Sequence, residues 1–180
     1  MTEDEYLKID SYIATPKQIV SQGEWKTTNN KNQIDTVIQL DDGNEIVASF
    51  SFFGSVNSVA VNLDLTWADF KLIYKTSSRQ GLWITRIRYN PQKSHTNCLL
   101  ENFEWSLKTL KKGVCRIYEW EHRKHALKKG LGEERAPAIP LPEIHTFEAF
   151  VEYFKNYLNI TGEIQTPNVS ADLFSFEGGV

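Results

Sequence analysis

Within "RIYEWEHRKHALKKG" (116–130), His122 and His125 stand three residues apart, so a helix there puts both imidazoles on one face. Two such rings can begin a metal site. A site also needs a third ligand and carboxylates behind it, and His95, Glu119 and Glu121 are the only nearby candidates. In a stretch this rich in lysine and arginine the pair reads better as a solvated face, and no metal or other cofactor is expected. The same residues suggest a second chemistry. Cleaving RNA without a metal takes a general base, a general acid and cations around the phosphate. His95, His122 and His125 are the candidates for proton transfer, histidine being the side chain suited to it near neutral pH. Arg86, Arg88 and Arg116 offer forked donors to a phosphate, and Tyr89 or Tyr118 can stack a base. A set of residue types is not a geometry, so a binding role for the arginines is preferred to a catalytic one.

Cys98 has His95 three positions away, but sequence neighbours seldom form a nucleophile–base dyad. Cys98 and Cys115 read as small buried hydrophobes, reduced and without metal, since no Cys-x-x-Cys pair or disulfide framework is present. There is no glycine-rich phosphate loop, no Gly-x-Ser-x-Gly and no His-Glu-x-x-His.

Charge points to a partner. From Lys71 to Gly130 there are 14 Lys+Arg and 4 Asp+Glu, a balance of +10, while the rest of the chain carries −13. A basic block of that kind is the electrostatic footprint of a nucleic-acid or acidic-surface binder. Its competing explanation is that the acidic ends fold back over the basic middle. Within the block, Arg86, Arg88, Arg116, Arg123, Lys124, Lys128 and Lys129 are the candidate binding residues.

These side chains need elements to hold them. With 41% hydrophobic and 12% aromatic residues, 180 residues are expected to fold as one domain, 1–162, followed by a tail, 163–180. "TEDE" is a capping box with Thr2 as N-cap, opening a helix with Tyr6, Ile9, Tyr12 and Ile13 at helical spacing. After Pro16, Ile19 and Val20 extend a second short helical piece. Strands are predicted at "EWKTTNN", "QIDTVIQL", "EIVASFSFF", "VAVNLDL", "FKLIYKT", "LWITRIRY" and "VCRIYEW", with "DDGN" as a hairpin turn. In "LWITRIRY" strict alternation puts Trp83, Thr85, Ile87 and Tyr89 on one face and Leu82, Ile84, Arg86 and Arg88 on the other. Residues 98–112 fit a helix or a strand, "EHRKHALKK" a helix or a loop, and "GLGEERAPAIPLP" a loop. "HTFEAFVEYFKNYLN" is the clearest helix, capped by Thr146, with Phe147, Phe150, Val151, Phe154 and Leu158 as its apolar stripe. The order is α+β: a mostly antiparallel sheet of about five to seven strands, with an N-terminal helix and a C-terminal amphipathic helix packed on it.

Residues 83–160 resemble a family of uncharacterised bacterial and phage accessory proteins. That family runs Arg-x-Asp on a strand, then His-x-Asn-Pro, a His-x-His-x-Tyr strand and a Thr-Phe helix. "RIRY", "HTN", "CRIYEW" and "HTFEAFVEYFKNYLNI" follow in the same order, with Arg86, His95, Asn97 and Tyr118 at matching positions. Arg88 replaces the aspartate, Cys98 the proline, and Val114 and Arg116 the paired histidines. The resemblance implies an accessory protein lacking whatever those histidines do.

The acidic "MTEDEYLKID" has no signal-like apolar region, and no apolar run approaches the ~20 residues of a membrane span, so a cytoplasmic protein without membrane association is expected. The preferred function is a non-enzymatic binding protein, of phage, mobile-element or defence context, engaging nucleic acid or an acidic protein surface. The alternatives are a small metal-independent ribonuclease-like toxin and a self-associating structural protein, a homo-oligomer held by its charge asymmetry. Catalysis requires at least two of His95, His122 and His125 to converge on Arg86 or Arg88 in a cleft.

Overall fold

The Thr2 hydroxyl accepts from the Glu5 amide at 3.2 Å, and the Glu5 carboxylate accepts from the Thr2 amide at 2.7 Å, forming the reciprocal capping box that opens helix α1 (Glu3–Ala14). The computed structural model describes residues 1–28, 33–52, 65–76, 79–132 and 136–167. After α1 come β1 (Lys17–Gln22), β2 (Lys26–Thr27), β3 (Gln33–Leu40), β4 (Glu45–Phe52), β5 (Leu65–Thr76) and β6 (Arg79–Tyr89). They are followed by β7 (His95–Thr96), β8 (Thr109–Leu110), β9 (Arg116–Tyr118), α2 (Trp120–Lys128), β10 (Ile139–Pro140), α3 (Phe147–Tyr157) and β11 (Ile160–Thr161). One sheet runs in the order β10-β9-β6-β5-β4-β3-β1-β11, with β2 on β3, and β7–β8 form a separate ribbon. Every pairing is antiparallel except β1 with β11.

The fold is therefore the expected α+β, with more strands than the sequence suggests because β7, β8, β10 and β11 are two residues long and β1 forms where a helical piece is expected. One segment is corrected. Ile19 and Val20 lie in β1, not in a helix: Pro16 breaks the helical ladder, and the β-branched pair joins the sheet between β3 and β11. Among the described residues of "EWKTTNN", Lys26–Thr27 form the strand, the loop after Gly130 contains β10, and the ambiguous 98–112 segment is turns with one short strand. The predicted strand "VAVNLDL" lies outside the described residues but for Leu65, as does the tail beyond residue 167.

The β3–β4 hairpin turns where "DDGN" predicts: Gly43 takes φ +84°, and its amide donates to the Leu40 carbonyl at 3.1 Å. Along β3, Ile34, Thr36, Ile38 and Leu40 alternate inward. They share one sheet face with Ile46, Ala48 and Phe50 of β4 and Ala68, Phe70 and Leu72 of β5, all buried. Onto that face α3 lays Phe150 and Phe154, fully buried, with ring centroids 5.1 and 5.3 Å from Phe70. Thr146 caps α3 by accepting from the Ala149 amide.

The opposite face is polar. In register across it stand Asp35 (β3), Ser49 (β4), Asp69 (β5), Arg88 (β6) and Arg116 (β9), and beside that row Lys71, Arg86 and Tyr118. A bulge in β6 changes the expected facing. Leu72 opposes Thr85 but Ile73 opposes Trp83, so Ile84 is the extra residue and Trp83 moves to the arginine face. There Trp83, Tyr118, Leu110, Ala136 and Ala138 form a second small core, with Ile73 and Trp105 against it. The loop of residues 90–113 and residues 136–138 thus cover one end of the polar face. Asn97, buried, ties them together: its amide nitrogen donates to the Trp105 and Ala138 carbonyls, and its oxygen accepts from the Ala138 amide.

Candidate functional site

Where that covered end stops, the polar face opens into a cleft of about 580 Å³, lined by Arg86, Arg88, Lys93, Ser94, His95, Arg116, Tyr118 and Gly132. A second cavity of about 420 Å³ shares Arg88, Lys93 and Arg116 with it and adds Gln33, Ser51, Trp67, Pro91 and Gln92. Alternation along β6 puts Arg86 and Arg88 on one face, and β9 pairs Arg116 with Arg88 and Tyr118 with Arg86.

Asp69 is the acid among these cations, and it is 2% exposed. Arg86 grips it through two nitrogens, Nε at 2.7 Å and Nη2, and Arg88 Nε stands 3.6 Å away. Arg116 is 1% exposed. Its Nη2 donates to the Lys93 carbonyl at 2.9 Å, while Nε and Nη1 have no hydrogen-bond partner. Burial works against its charged form, as do Arg88 and Arg86, with Tyr118 and Asp69 favouring it; a guanidinium nevertheless stays protonated. Among the described residues, three arginines and a lysine against one carboxylate sum to about +3 with His95 neutral.

His95 sits edge-on to Tyr118, ring centroids 5.3 Å apart, with Nε2 3.0 Å from the Ala136 carbonyl oxygen. Burial lowers its pKa, the charges of Arg116 and Arg88 add to that, and hydrogen bonds to Ala136 and Asn97 oppose it. The imidazole is thus held toward its neutral form.

Of the sequence candidates, Arg86, Arg88, Arg116, His95 and Tyr118 meet in this cleft, and Tyr89, His122, His125, Arg123, Lys124, Lys128 and Lys129 do not line it. His122 packs against Phe103, ring centroids 4.3 Å apart, and its Nε2 is 3.5 Å from Glu119. Burial pushes His122 down and Glu119 up, both toward neutral forms. His125 is exposed on α2 beside Glu121. Neither histidine lines the cleft, so the two-histidine convergence that catalysis requires is not formed among the candidates.

The basic segment 116–130 is likewise not an open surface. Arg123 is corrected: it is 1% exposed, its guanidinium carbon 3.2 Å from the Trp83 ring centroid and its Nε donating to the Trp83 carbonyl at 2.7 Å. Lys124 contacts both carboxylate oxygens of Asp10 at 2.9 and 3.0 Å and also pairs with Glu121. Lys128 pairs with Glu3 at 3.0 Å, and Lys129 is exposed beyond the helix. α1 thus returns its acids to α2.

The sequence reading missed Asp69, Lys93 and Trp67. Asp69 does leave a signal: an acid flanked by Ala68 and Phe70 in a central strand needs a cation opposite, and Arg-x-Arg on the next strand supplies it. Among the described residues Cys98 and Cys115 are in no disulfide, and burial raises the Cys115 thiol. Among the described residues no group of three or more His, Cys, Asp or Glu side chains could hold a metal, and no helix is long and apolar enough to cross a membrane. No family model matches the chain, and neither a curated protein nor a solved structure matches it.

Proposed function

We propose that the protein is a binding protein that engages phosphate groups of nucleic acid in the cleft between β6, β9 and the 90–113 loop. The observation that carries this is Arg116, a buried guanidinium with two nitrogens unpartnered at a cleft already holding Arg86, Arg88 and Lys93. A buried donor left without an acceptor costs free energy that an entering anion recovers. A concave site favours a small projecting anion, a phosphate, over a broad acidic protein surface. It also moves the expected footprint from α2 to the sheet.

Fluorescence anisotropy with a labelled single-stranded RNA or DNA, repeated over a salt series, tests the reading. Binding is expected to weaken with salt. Arg116→Met should weaken it at least about tenfold, because hydrogen bonds to charged groups contribute about 1.5–3 kcal/mol each, and should lower the salt slope by about one. Arg116→Lys, which keeps the charge, should lose less. Unchanged binding in folded Arg116→Met protein overturns the assignment. Cleavage of the RNA that disappears in His95→Gln would favour the ribonuclease reading instead.

A further inference from the structure

The two cavities meet at Arg88, Lys93 and Arg116, and their outer ends differ in chemistry. On the β9 side the cleft is closed by Tyr118 and His95. On the β5 side it continues to Trp67, half-buried, with the amide side chains of Gln33 and Gln92 and the hydroxyl of Ser51 around it. Trp67 belongs to the polar face: it pairs with Ser51 and lies two residues before Asp69 on β5. With strands about 4.8 Å apart and about 3.4 Å per residue along them, its Cα lies roughly 12 Å from that of Arg116. Two long side chains on one face close that gap from both ends, and they line the same 420 Å³ cavity.

An indole beside a cationic cradle has a chemical counterpart: a planar ring carrying a phosphate. Every nucleobase has a π-face that stacks on an aromatic side chain, and amides and hydroxyls at the rim offer both donors and acceptors to a base edge. The charge at the cradle points to the kind of phosphate. A phosphodiester within a strand carries one negative charge, whereas a phosphate monoester carries about −1.5 to −2. A cleft whose described residues sum to about +3, with two nitrogens of its most deeply buried cation unpartnered, is better matched by the monoester.

Resting on the nucleic-acid reading above, we infer that the ligand unit is a nucleoside 5′-phosphate, free or at the end of a strand. Its phosphate monoester is held by Arg88, Lys93 and Arg116, and its base is stacked on Trp67.

The test is calorimetric titration of the full chain with five probes: adenosine 5′-monophosphate, ribose 5-phosphate, adenosine, and one short oligonucleotide with and without a 5′-phosphate. The nucleotide is expected to bind at least about fivefold tighter than ribose 5-phosphate, since base stacking on an aromatic is worth about 1–3 kcal/mol, and adenosine only weakly. Trp67→Ala should erase the advantage of the nucleotide while leaving ribose 5-phosphate unchanged. Trp67→Phe should keep most of it, which separates stacking from a folding defect. The phosphorylated oligonucleotide should bind tighter than its hydroxyl form. If it also exceeds the free nucleotide the source is a strand end, and if not it is the mononucleotide. Equal affinity for nucleotide and ribose 5-phosphate, or no effect of the 5′-phosphate, overturns this inference and leaves the cleft assignment standing. Loss of all phosphate-dependent binding overturns both, as does full binding by folded Arg116→Met.

Discussion

Asp69 sets the balance of the cleft. It is the carboxylate that Arg86 and Arg88 face, and it is almost wholly buried. Removing one partner of a buried ion pair leaves the other charged and desolvated, so Asp69→Ala should cost roughly 3–5 kcal/mol in denaturant unfolding. In protein that still folds, the cleft gains a net positive charge and a free Arg86 fork, so phosphate should bind tighter. A substitution that destabilises the chain and improves anion affinity is a signature that a purely structural ion pair would not produce. His95 should report on the same site. Burial, Arg116 and Arg88 hold it neutral, Lys93 lines the cleft with it, and the Ala136 carbonyl and Asn97 pull the other way. A bound dianion offsets the arginines and raises the histidine pKa, so binding takes up a proton and affinity rises as pH falls through the imidazole range. Sulfate, which keeps its charge across that range, is the suitable probe. Wild-type affinity should increase on acidification, and His95→Gln should flatten the profile. A flat wild-type profile would separate His95 from the anion.

The elements explain why the cleft lies where it does. α3 covers the apolar face of the sheet and leaves the arginine face to loops. Phe150 is fully buried, its ring centroid 5.1 Å from Phe70 and 5.6 Å from Tyr89. Phe150→Ala should cost about 3–5 kcal/mol in chemical denaturation, and a loss well below 1 kcal/mol would show the helix to be peripheral. The β6 bulge decides the other side. By bringing Trp83 onto the arginine face it gives the 90–113 loop and residues 136–138 an apolar floor, and that loop carries Lys93 and His95 to the cleft. α1 and α3 are joined by Lys17. This lysine is 1% exposed, and its Nζ donates to the Ile13, Thr15 and Leu158 carbonyls, satisfying oxygens at two helix C-termini. Burial lowers its pKa from 10.5 to about 8, against the charges of Asp42 and Asp41.

Across the whole molecule, the charge asymmetry closes on itself at one place and stays open at another. Asp10 of α1 accepts from the Trp120 indole at 2.7 Å and from Lys124. Burial raises its pKa, but the hydrogen bonds from Lys124 and Trp120 and the charges of Lys124 and Lys128 outweigh that and hold it below the ordinary carboxylate value. A carboxyl depressed in the folded state contributes stability that is present above its unfolded pKa and lost as pH falls through the folded one. Asp10→Asn should therefore lower stability at neutral pH, by no more than about 1 kcal/mol for a partly exposed pair, and converge with wild type under acid. Thermal melts from about pH 7 to about pH 3 measure this, and parallel curves would exclude Asp10 as the tie between α1 and α2. Glu3 and Asp10 of α1 are thus paired within the chain, while among the described residues of the sheet cleft Asp69 does not cancel three arginines.

Helix α3, the capping box at Thr2, the β3–β4 hairpin and the α+β class were legible in the chain, because each follows from local chemistry: an apolar stripe at helical spacing, a hydroxyl three residues before a glutamate, a glycine in a turn. Arg86 and Arg88 were legible as a pair because strand alternation is local too. The strand at Ile19–Val20 was not, since its partners are about 20 and 140 residues away and a short apolar pair does not announce a sheet. Nor was the bulge at Ile84, which follows no residue pattern and reverses which face Trp83 takes. The fate of the cations depended most on tertiary structure. Arg123 and Arg116 are the same residue type in one charged stretch, and both are buried. One is spent on the Trp83 ring and carbonyl, while the other keeps two unpartnered nitrogens at a cleft. Net charge sums along the sequence, but what a charge can bind depends on the groups that packing brings within a few ångströms of it.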